Sequence, residues 1–203
     1  SVAPALEGIR EGVRAAARLG VPAIIHSASA TARLLRELAE EGSGAQIIAG
    51  HANHPSHTPA EAVELAALGR DRGWLAEVSV FDLLHRRHTV STREHWDALL
   101  AEPGLVHVLG TDYGHAGNHD ELISAVHDVA AQGHRTLGEA VAMASSAVVR
   151  AIPGIAPRSG ELRAGLAADV VVTSTSDFRK VRDVFVDGQR VVRDGRLTAG
   201  ARR

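Results

Sequence analysis

The chain has 203 residues, of which 45% are hydrophobic and 23% are charged, and its formal net charge is −2. This composition supplies enough apolar material for one substantial core and excludes a disordered chain. The interspersed charges provide no basic stripe for nucleic acid and no polybasic segment for a membrane surface, so we expect neither partner.

Cysteine is absent from the sequence, whereas histidine occurs 12 times. Disulfides, thiolate nucleophiles and cysteine-ligated zinc are therefore excluded, and nitrogen and oxygen atoms would have to hold any metal ion. The N-terminal residues lack the charged-then-apolar order of a secretory signal, and no run of about twenty apolar residues occurs. We therefore expect a cytoplasmic protein.

Helices and strands are predicted to alternate along most of the chain. Short apolar runs, VPAII, AQIIAG, WLAEVSV and LVHVLG, are typical of strands that are buried on both faces. Their alternation with helices through short connections predicts a parallel sheet with right-handed crossovers. From apolar spacing, Gly and Pro signals and N-caps, the helices are predicted over residues 3–19, 29–41, 58–70, 92–101, 119–131 and 136–151.

The last part of the chain has a different pattern. From Ser159 onward, short alternating or β-branched runs are separated by glycines, and Asp187-Gly188 is a strong hairpin signal. We therefore predict two domains. Residues 1–155 form the layers of strands and helices, and residues 156–203 form a small antiparallel β element.

The predicted parallel sheet has two long, apolar edges without a partner strand. Such edges promote aggregation unless something covers them. The opening helix also has no strand before it, so it looks like a crossover that has lost its strand. We therefore expect a polypeptide that completes the sheet, whether a cleaved fragment, a separate subunit or a missing segment, and an oligomeric assembly.

Three side chains that suit a metal ion lie at the carboxyl ends of predicted strands. His26 ends VPAIIH, His51 ends AQIIAGH, and Asp112 follows LVHVLG within LGTDYG. Parallel α/β barrels bind their ligands at this edge, and neutral imidazole and carboxylate groups suit zinc or a similar divalent ion. One such residue could simply cap its strand. Three in the same position predict a metal site whose open coordination position holds a hydroxide nucleophile at neutral pH.

These segments carry a resemblance to a known family. VPAIIHSAS, IIAGHANH and VLGTDYG resemble strands five, six and eight of the amidohydrolase superfamily, including its phosphotriesterase-like, dihydroorotase-like and imidazolonepropionase-like branches. The tail, ELRAGLAADVVV followed by VRDVFVDGQRVVRDG, is similar to the β element that closes many amidohydrolase chains. The resemblance implies an α/β fold, namely the C-terminal half of a (β/α)8 TIM-type barrel followed by a small antiparallel β element.

The resemblance also implies roles for the three residues. His26 and His51 would bind the more exposed of two divalent metal ions, and Asp112 would bind the more buried one. Asp112 would act as the catalytic base as well, because a carboxylate beside metal and substrate can take the proton of the attacking hydroxide and pass it to the leaving group. Zinc is the expected metal, as one or two ions.

The chain departs from the family at the positions that should complete this site. Strand one of the family brings a His-x-His pair, and strand four brings a carboxylated lysine or a glutamate that bridges two metals. No segment here supplies these groups, and His85 and His88 have the wrong spacing to replace the pair. We therefore expect the partner polypeptide to supply strands one to four together with the missing ligands.

Other histidines are candidates for lesser roles. His54 follows the second predicted strand and is a substrate-binding candidate or an alternative to His51 as ligand, although a solvated loop histidine is an equally good reading. His115 follows Asp112 and is a further substrate-binding candidate, because strand-end loops commonly carry function. We expect His107 to be a hydrogen-bonded core residue. Surface positions are expected for His95, His127 and His134.

The leading functional hypothesis is a metal-dependent hydrolase that acts on an amide, lactam or cyclic imidic C–N bond of a small-molecule or peptide-like substrate. Hydrolysis of a phosphoester or lactone is the alternative within the superfamily, because the spacing of the two histidines also resembles the phosphotriesterase-like branch. A non-catalytic scaffold subunit is the third reading. The sequence has no G-x-S-x-G, phosphate-loop or strand-linked G-x-G-x-x-G motif, which disfavours serine hydrolysis, phosphoryl transfer and nicotinamide chemistry.

Overall fold

The computed structural model describes residues 3–81, 83, 91–112, 120–152, 154 and 158–199. Contacts within the chain divide it into two compact units, residues 1–125 and residues 126–203. The domain boundary predicted at residue 155 stays a prediction. Among the described residues, no helix is both long and apolar enough to cross a membrane.

The first unit is a parallel sheet whose strands are connected by helices, as the sequence predicts. The strands lie in the order β1-β2-β3-β4, and each neighbouring pair is parallel. A helix, α5 (Leu122–Ala131), contains the boundary between the two units. The elements before it are α1 (Ala3–Leu19), β1 (Ala23–His26), α2 (Ser29–Glu41), β2 (Ile47–Gly50), α3 (Pro59–Asp71), β3 (Leu75–Ser79), α4 (Arg93–Ala101) and β4 (Val108–Gly110).

The core of this unit lies between the helices and one face of the sheet. Apolar residues of the strands pack there against the apolar faces of α1, α2 and α3. Burial alternates along β1, since Ile25 is 4% exposed and Ile24 on the opposite face is 65% exposed. The buried cluster comprises Val13, Ile25, Ala32, Leu34, Leu35, Leu38, Ala39, Ile47, Leu65 and Trp74.

The predicted start of α3 is confirmed in atomic detail. The Thr58 hydroxyl accepts a hydrogen bond from the Glu61 backbone N–H at 3.3 Å, and the Glu61 carboxylate accepts one from the Thr58 backbone N–H at 2.7 Å. This reciprocal capping box satisfies two backbone donors that the first helical turn leaves without partners. It also ends the loop that follows β2 at a defined point.

The second unit contains an antiparallel sheet, which confirms the β element predicted from the tail. Its strands pair in the order β5-β6-β7-β8. The predicted hairpin turn is present, because Asp187 and Gly188 have φ angles of 47° and 79°, the positive values that a two-residue turn of this kind needs. The elements are α6 (Leu137–Met143), α7 (Ser146–Ala151), β5 (Val170–Thr173), β6 (Val181–Val186), β7 (Gln189–Arg193) and β8 (Arg196–Leu197).

The single helix predicted over residues 136–151 is wrong, because the structure has two helices, α6 and α7, with a break between them. The backbone leaves helical geometry at Ser145, where φ is −139° and ψ is −92°. The Ser145 hydroxyl donates to the Val141 carbonyl at 2.7 Å. Serine side chains that bond to a nearby carbonyl compete with the helical ladder in this way.

Candidate metal and active site

The carboxyl ends of the parallel strands lie side by side and bring the predicted residues together. His26 is the last residue of β1 and pairs with Gly50, the last residue of β2. His51 follows directly. Two strands along, Gly110 ends β4, and Asp112 lies two residues beyond it. The register therefore places all three predicted ligands at one edge of the sheet.

Three imidazole rings cluster at this edge. The ring centroids of His26 and His51 are 5.0 Å apart, and the two planes are inclined by only 27°. His54 meets both rings edge-on, at 5.2 Å from His26 and 5.4 Å from His51. His51 is buried, whereas His26 is exposed. His51 is therefore the inner, buried member of the cluster, and His26 is the outer, exposed one.

Asp112 approaches the cluster from the end of β4. Its Oδ2 lies 3.7 Å from Nδ1 of His51, which is too long for a hydrogen bond. Two atoms that each lie about 2.1 Å from one zinc ion can be separated by up to about 4.2 Å, so the observed distance is compatible with a shared ion. Both residues have left-handed backbones, with φ angles of 57° for His51 and 47° for Asp112. Such strained positions in non-glycine residues commonly mark functional sites.

Glu77, in the middle of β3, is a site residue that was not predicted from the sequence. Its Oε2 accepts a hydrogen bond from the His51 backbone N–H at 2.5 Å. Burial raises the pKa of Glu77 to about 7; the His51 N–H opposes this rise, and the Asp112 carboxylate adds to it. The signal in the sequence was a single carboxylate inside the apolar run WLAEVSV, because a charged residue within a buried strand requires a partner.

Asn53 attaches the loop after β2 to the end of β3. Its side-chain amide donates to the Ser79 carbonyl at 2.7 Å and accepts from the Ser79 N–H at 2.9 Å. The amide therefore makes the pair of hydrogen bonds that the backbone of a neighbouring strand would make with Ser79. Asn53 is fully buried. Ser91 binds at the same place, since its hydroxyl donates to the Ser79 carbonyl at 3.2 Å and lies 3.3 Å from Nε2 of His51. The loop that carries the histidines is thus fixed to the sheet.

The hydrogen bonds of Ser56 determine which ring nitrogen of a neutral His54 carries the hydrogen. The Ser56 backbone N–H donates to Nδ1 of His54 at 3.1 Å, and the Ser56 hydroxyl lies 2.8 Å from the same atom. Burial lowers the pKa of His54, and the nearby His26 lowers it further. A neutral His54 whose Nδ1 accepts a hydrogen bond carries its ring hydrogen on Nε2. The ring is therefore arranged to donate a hydrogen bond from Nε2.

Other histidines show which expectations hold. The hydrogen bond expected for His107 is present, with Nδ1 accepting from the Ala76 N–H at 3.2 Å, but the residue is half-buried rather than in the core and precedes β4. The surface position expected for His95 is wrong, because this residue is 5% exposed and its Nε2 lies 2.7 Å from the His57 carbonyl. Helical position alone does not reveal that the loop before α3 covers this side of α4. His85, His88 and His115 lie outside the described residues.

The donor set has the chemistry of a divalent metal site but is not closed. Imidazole nitrogen and carboxylate oxygen are the expected zinc ligands in a chain without cysteine. Within the described ranges, however, no group of three or more His, Asp or Glu side chains is arranged to hold an ion. Part of a coordination shell is therefore present. It consists of Nδ1 of His51 and Oδ2 of Asp112, which are 3.7 Å apart, and the exposed ring of His26.

Comparison with known families shows where this arrangement belongs. The model of the amidohydrolase family matches residues 2–191. The chain belongs to the amidohydrolase family. No curated protein matches its sequence.

Solved structures confirm the fold of this amidohydrolase chain. A dihydropyrimidinase from Brevibacillus agri is similar, with a TM-score of 0.71 at 16% identity over 95% of this chain and 62% of its own. A D-hydantoinase from a Bacillus species gives 0.69 at 17% identity, over 96% of this chain and 63% of its own. Ochratoxinase from A. niger gives 0.61 at 19% identity, over 94% and 46%. The fold is thus α/β and part of a TIM-type barrel, and the chain spans less than two thirds of these relatives.

Proposed function

We propose that this chain is part of a metal-dependent hydrolase that cleaves a C–N bond in an amide, a lactam or a cyclic imidic substrate. The single observation that carries the proposal is the convergence of His26, His51 and Asp112 at the carboxyl edge of the sheet, with 3.7 Å between Nδ1 of His51 and Oδ2 of Asp112. Membership of the amidohydrolase family supports it. So do the structural neighbours named dihydropyrimidinase and hydantoinase.

In this proposal His26, His51 and Asp112 bind one or two divalent ions, and zinc is the ion that their chemistry suits. When bound, such an ion polarises a carbonyl group and makes a hydroxide available at neutral pH. Asp112 accepts a proton from the nucleophile and delivers it to the leaving nitrogen. Its side chain is 58% exposed and lies at the strand ends, where a substrate approaches.

His54 binds the substrate in this scheme, and His51 is the ligand of the two. Nδ1 of His54 already accepts from the Ser56 N–H, so the neutral ring presents an Nε2–H donor and not a lone pair. A donor at that position suits a substrate carbonyl oxygen. We extend the same role to His115, which follows Asp112 in the chain.

We further propose that a polypeptide with the remaining barrel strands completes the site. Among the residues that the structure describes, β1 and β4 are the two edges of the parallel sheet. Ile24 is 65% exposed, and its side chain lies within 3.2 Å of a Cβ placed on Gly50, so it projects from the face that bears the site. An added set of strands would cover Ile24 and supply the missing ligands. A cytoplasmic, oligomeric enzyme with a small-molecule or peptide-like substrate remains part of this proposal.

The test uses the intact protein, including whatever polypeptide completes its barrel. Metal content is measured by mass spectrometry, and hydrolysis is measured with a hydantoin, an N-acyl amino acid, a lactone and a phosphotriester. The proposal predicts at least one divalent ion per site and cleavage of a C–N substrate that a chelator abolishes. Preference for the lactone or phosphotriester would favour the alternative chemistry. An intact protein without a bound divalent ion would overturn the proposal.

A further inference from the structure

Glu77 accepts hydrogen bonds from two consecutive backbone N–H groups, those of His51 and Ala52. Its carboxylate Oε2 accepts from the His51 N–H at 2.5 Å, and its main-chain carbonyl accepts from the Ala52 N–H at 2.8 Å. One residue of β3 therefore controls the point at which the chain leaves β2.

The two strands beside β3 leave room for this carboxylate by having glycine next to it. A Cβ on Gly110 would lie 2.1 Å from Oε1 and 2.8 Å from the carboxyl carbon of Glu77. No side chain can occupy that space while Glu77 keeps its position. On the other side, a Cβ on Gly50 would lie 3.8 Å from Oε2, an ordinary contact distance. Glu77 therefore lies in a slot between Gly50 of β2 and Gly110 of β4, and the residue at position 110 must be glycine.

The orientation of His51 needs such support. A φ angle of 57° is unfavourable for a residue with a side chain and persists only where surrounding contacts impose it. The contact from Glu77 acts at the N–H of that same residue. With its backbone held, the buried His51 ring is directed so that Nδ1 faces Asp112 at 3.7 Å.

We propose that Glu77 is a positioning residue for the metal site: by accepting the His51 N–H within the slot beside Gly110, it holds the imidazole in the direction that faces Asp112. The inference rests on the proposed function, since it assigns a support to one of the proposed ligands. It requires an acceptor oxygen at the reach of a glutamate side chain. It does not require the negative charge.

Two substitutions separate reach from charge. Glu77→Gln keeps the length and an acceptor oxygen but removes the charge, whereas Glu77→Asp keeps the charge but shortens the side chain by one methylene. The intact protein is stripped of metal, and the affinity for Zn²⁺ is measured by calorimetric titration. We expect Glu77→Gln to retain wild-type affinity within about threefold. Glu77→Asp should lose roughly 10–100-fold, the range typical of groups that orient a metal ligand.

A matched control separates positioning from general destabilisation. Val78→Ala alters the next residue of β3, which is fully buried on the opposite face of the sheet. It should lower the stability of the protein but leave the Zn²⁺ affinity of the folded protein unchanged. Glu77→Asp should instead lower the Zn²⁺ affinity strongly and the stability of the protein less. If Val78→Ala weakened binding as much as Glu77→Asp does, Glu77 would have only a structural role and the proposal would be overturned.

A second pair tests the slot without changing Glu77. Gly110→Ala places a Cβ where the carboxylate lies, whereas the Cβ of Gly50→Ala is at an ordinary 3.8 Å from the carboxylate and meets only the side-chain methyl of Ile24 closely, at 3.2 Å. The proposal predicts a greater loss of Zn²⁺ affinity for Gly110→Ala than for Gly50→Ala, and equal affinities would contradict it. If Glu77→Asp bound like the wild type, or Glu77→Gln lost affinity, the inference would fail while the proposed function stood. If the wild type bound no Zn²⁺, the proposed function itself would fail.

Discussion

The two faces of the parallel sheet differ sharply, although they are made by alternate residues of the same strands. Toward the helices lie Ile25, Ile47 and Val78, each at most 4% exposed. The other face carries Ile24 at 65% exposure, together with His26, Glu77 and a buried apolar neighbour, Ile48. Burial of apolar area accounts for the first face, since it supplies the main driving force for folding.

The comparison indicates that fold and chemistry are divided between the two faces. The helix-side face needs only apolar side chains of suitable volume. The site-side face has glycines at Gly50 and Gly110 and a carboxylate with a pKa raised to about 7 by burial, features that contribute little to a core. A metal site and covering strands would account for such a surface. We therefore propose both a bound metal ion and a polypeptide that completes the barrel.

The largest effect is expected for Asp112→Asn on the site-side face. Loss of a proton acceptor typically lowers rates roughly 10²–10⁴-fold, and loss of a metal ligand adds to this, so kcat/KM should fall by at least that range. Asparagine tolerates the left-handed backbone at φ 47°, so the fold should be retained. Asp194→Asn is a matched control, because Asp194 has the same φ angle in a hairpin turn. Activity of Asp112→Asn close to that of this control would remove Asp112 as base.

A pair of isoleucine substitutions compares the two faces directly. Ile47 is fully buried, and Ile47→Ala should lower the free energy of unfolding of the intact protein by about 2–5 kcal/mol. Ile24→Ala should cost about 2 kcal/mol or more in the same protein if barrel strands cover that face. Urea unfolding measures both. A cost for Ile24→Ala within about 0.5 kcal/mol of zero would show that solvent covers this face.

The smallest effect is expected outside both faces, at Asp169 in the second unit. Hydrogen bonds from the Asp187 N–H and the Ser159 hydroxyl hold the pKa of Asp169 below its ordinary value of 3.8. A lowered pKa in the folded state stabilises the protein above the ordinary pKa, and this contribution disappears as the pH falls through the lowered value. Asp169→Asn should therefore lower Tm slightly at neutral pH and less in acid. A Tm difference that grows as the pH falls would contradict this assignment.

Much of the architecture could be predicted because it depends on local pattern. Runs such as VPAII and AQIIAG are apolar on both sides and short, so they become strands of a buried parallel sheet. The positions of His26, His51 and Asp112 at strand ends follow from the same pattern. The antiparallel tail was predictable from Asp187-Gly188, because that dipeptide suits a two-residue turn with positive φ angles.

The remaining features depend on contacts between residues that are distant in sequence. Glu77 and His51 are 26 residues apart, and only the register of β2 and β3 brings them together. The burial of His95 depends on its contact with the His57 carbonyl, 38 residues away. The helix break at Ser145 is the local exception, because the Ser145 hydroxyl bonds to the Val141 carbonyl only four residues earlier and so competes with the helical ladder. No periodic pattern in the sequence indicates any of these contacts.

Anomalous X-ray diffraction would show whether His26, His51 and Asp112 bind a catalytic metal ion. Crystals of the intact protein loaded with Zn²⁺ would be measured on both sides of the zinc absorption edge. We expect an anomalous peak at the strand ends, about 2.0–2.2 Å from an imidazole nitrogen of His51 and from the nearest donor atom of at least one of His26 and Asp112. A zinc-loaded, active protein whose only peaks lie away from these three side chains would contradict it.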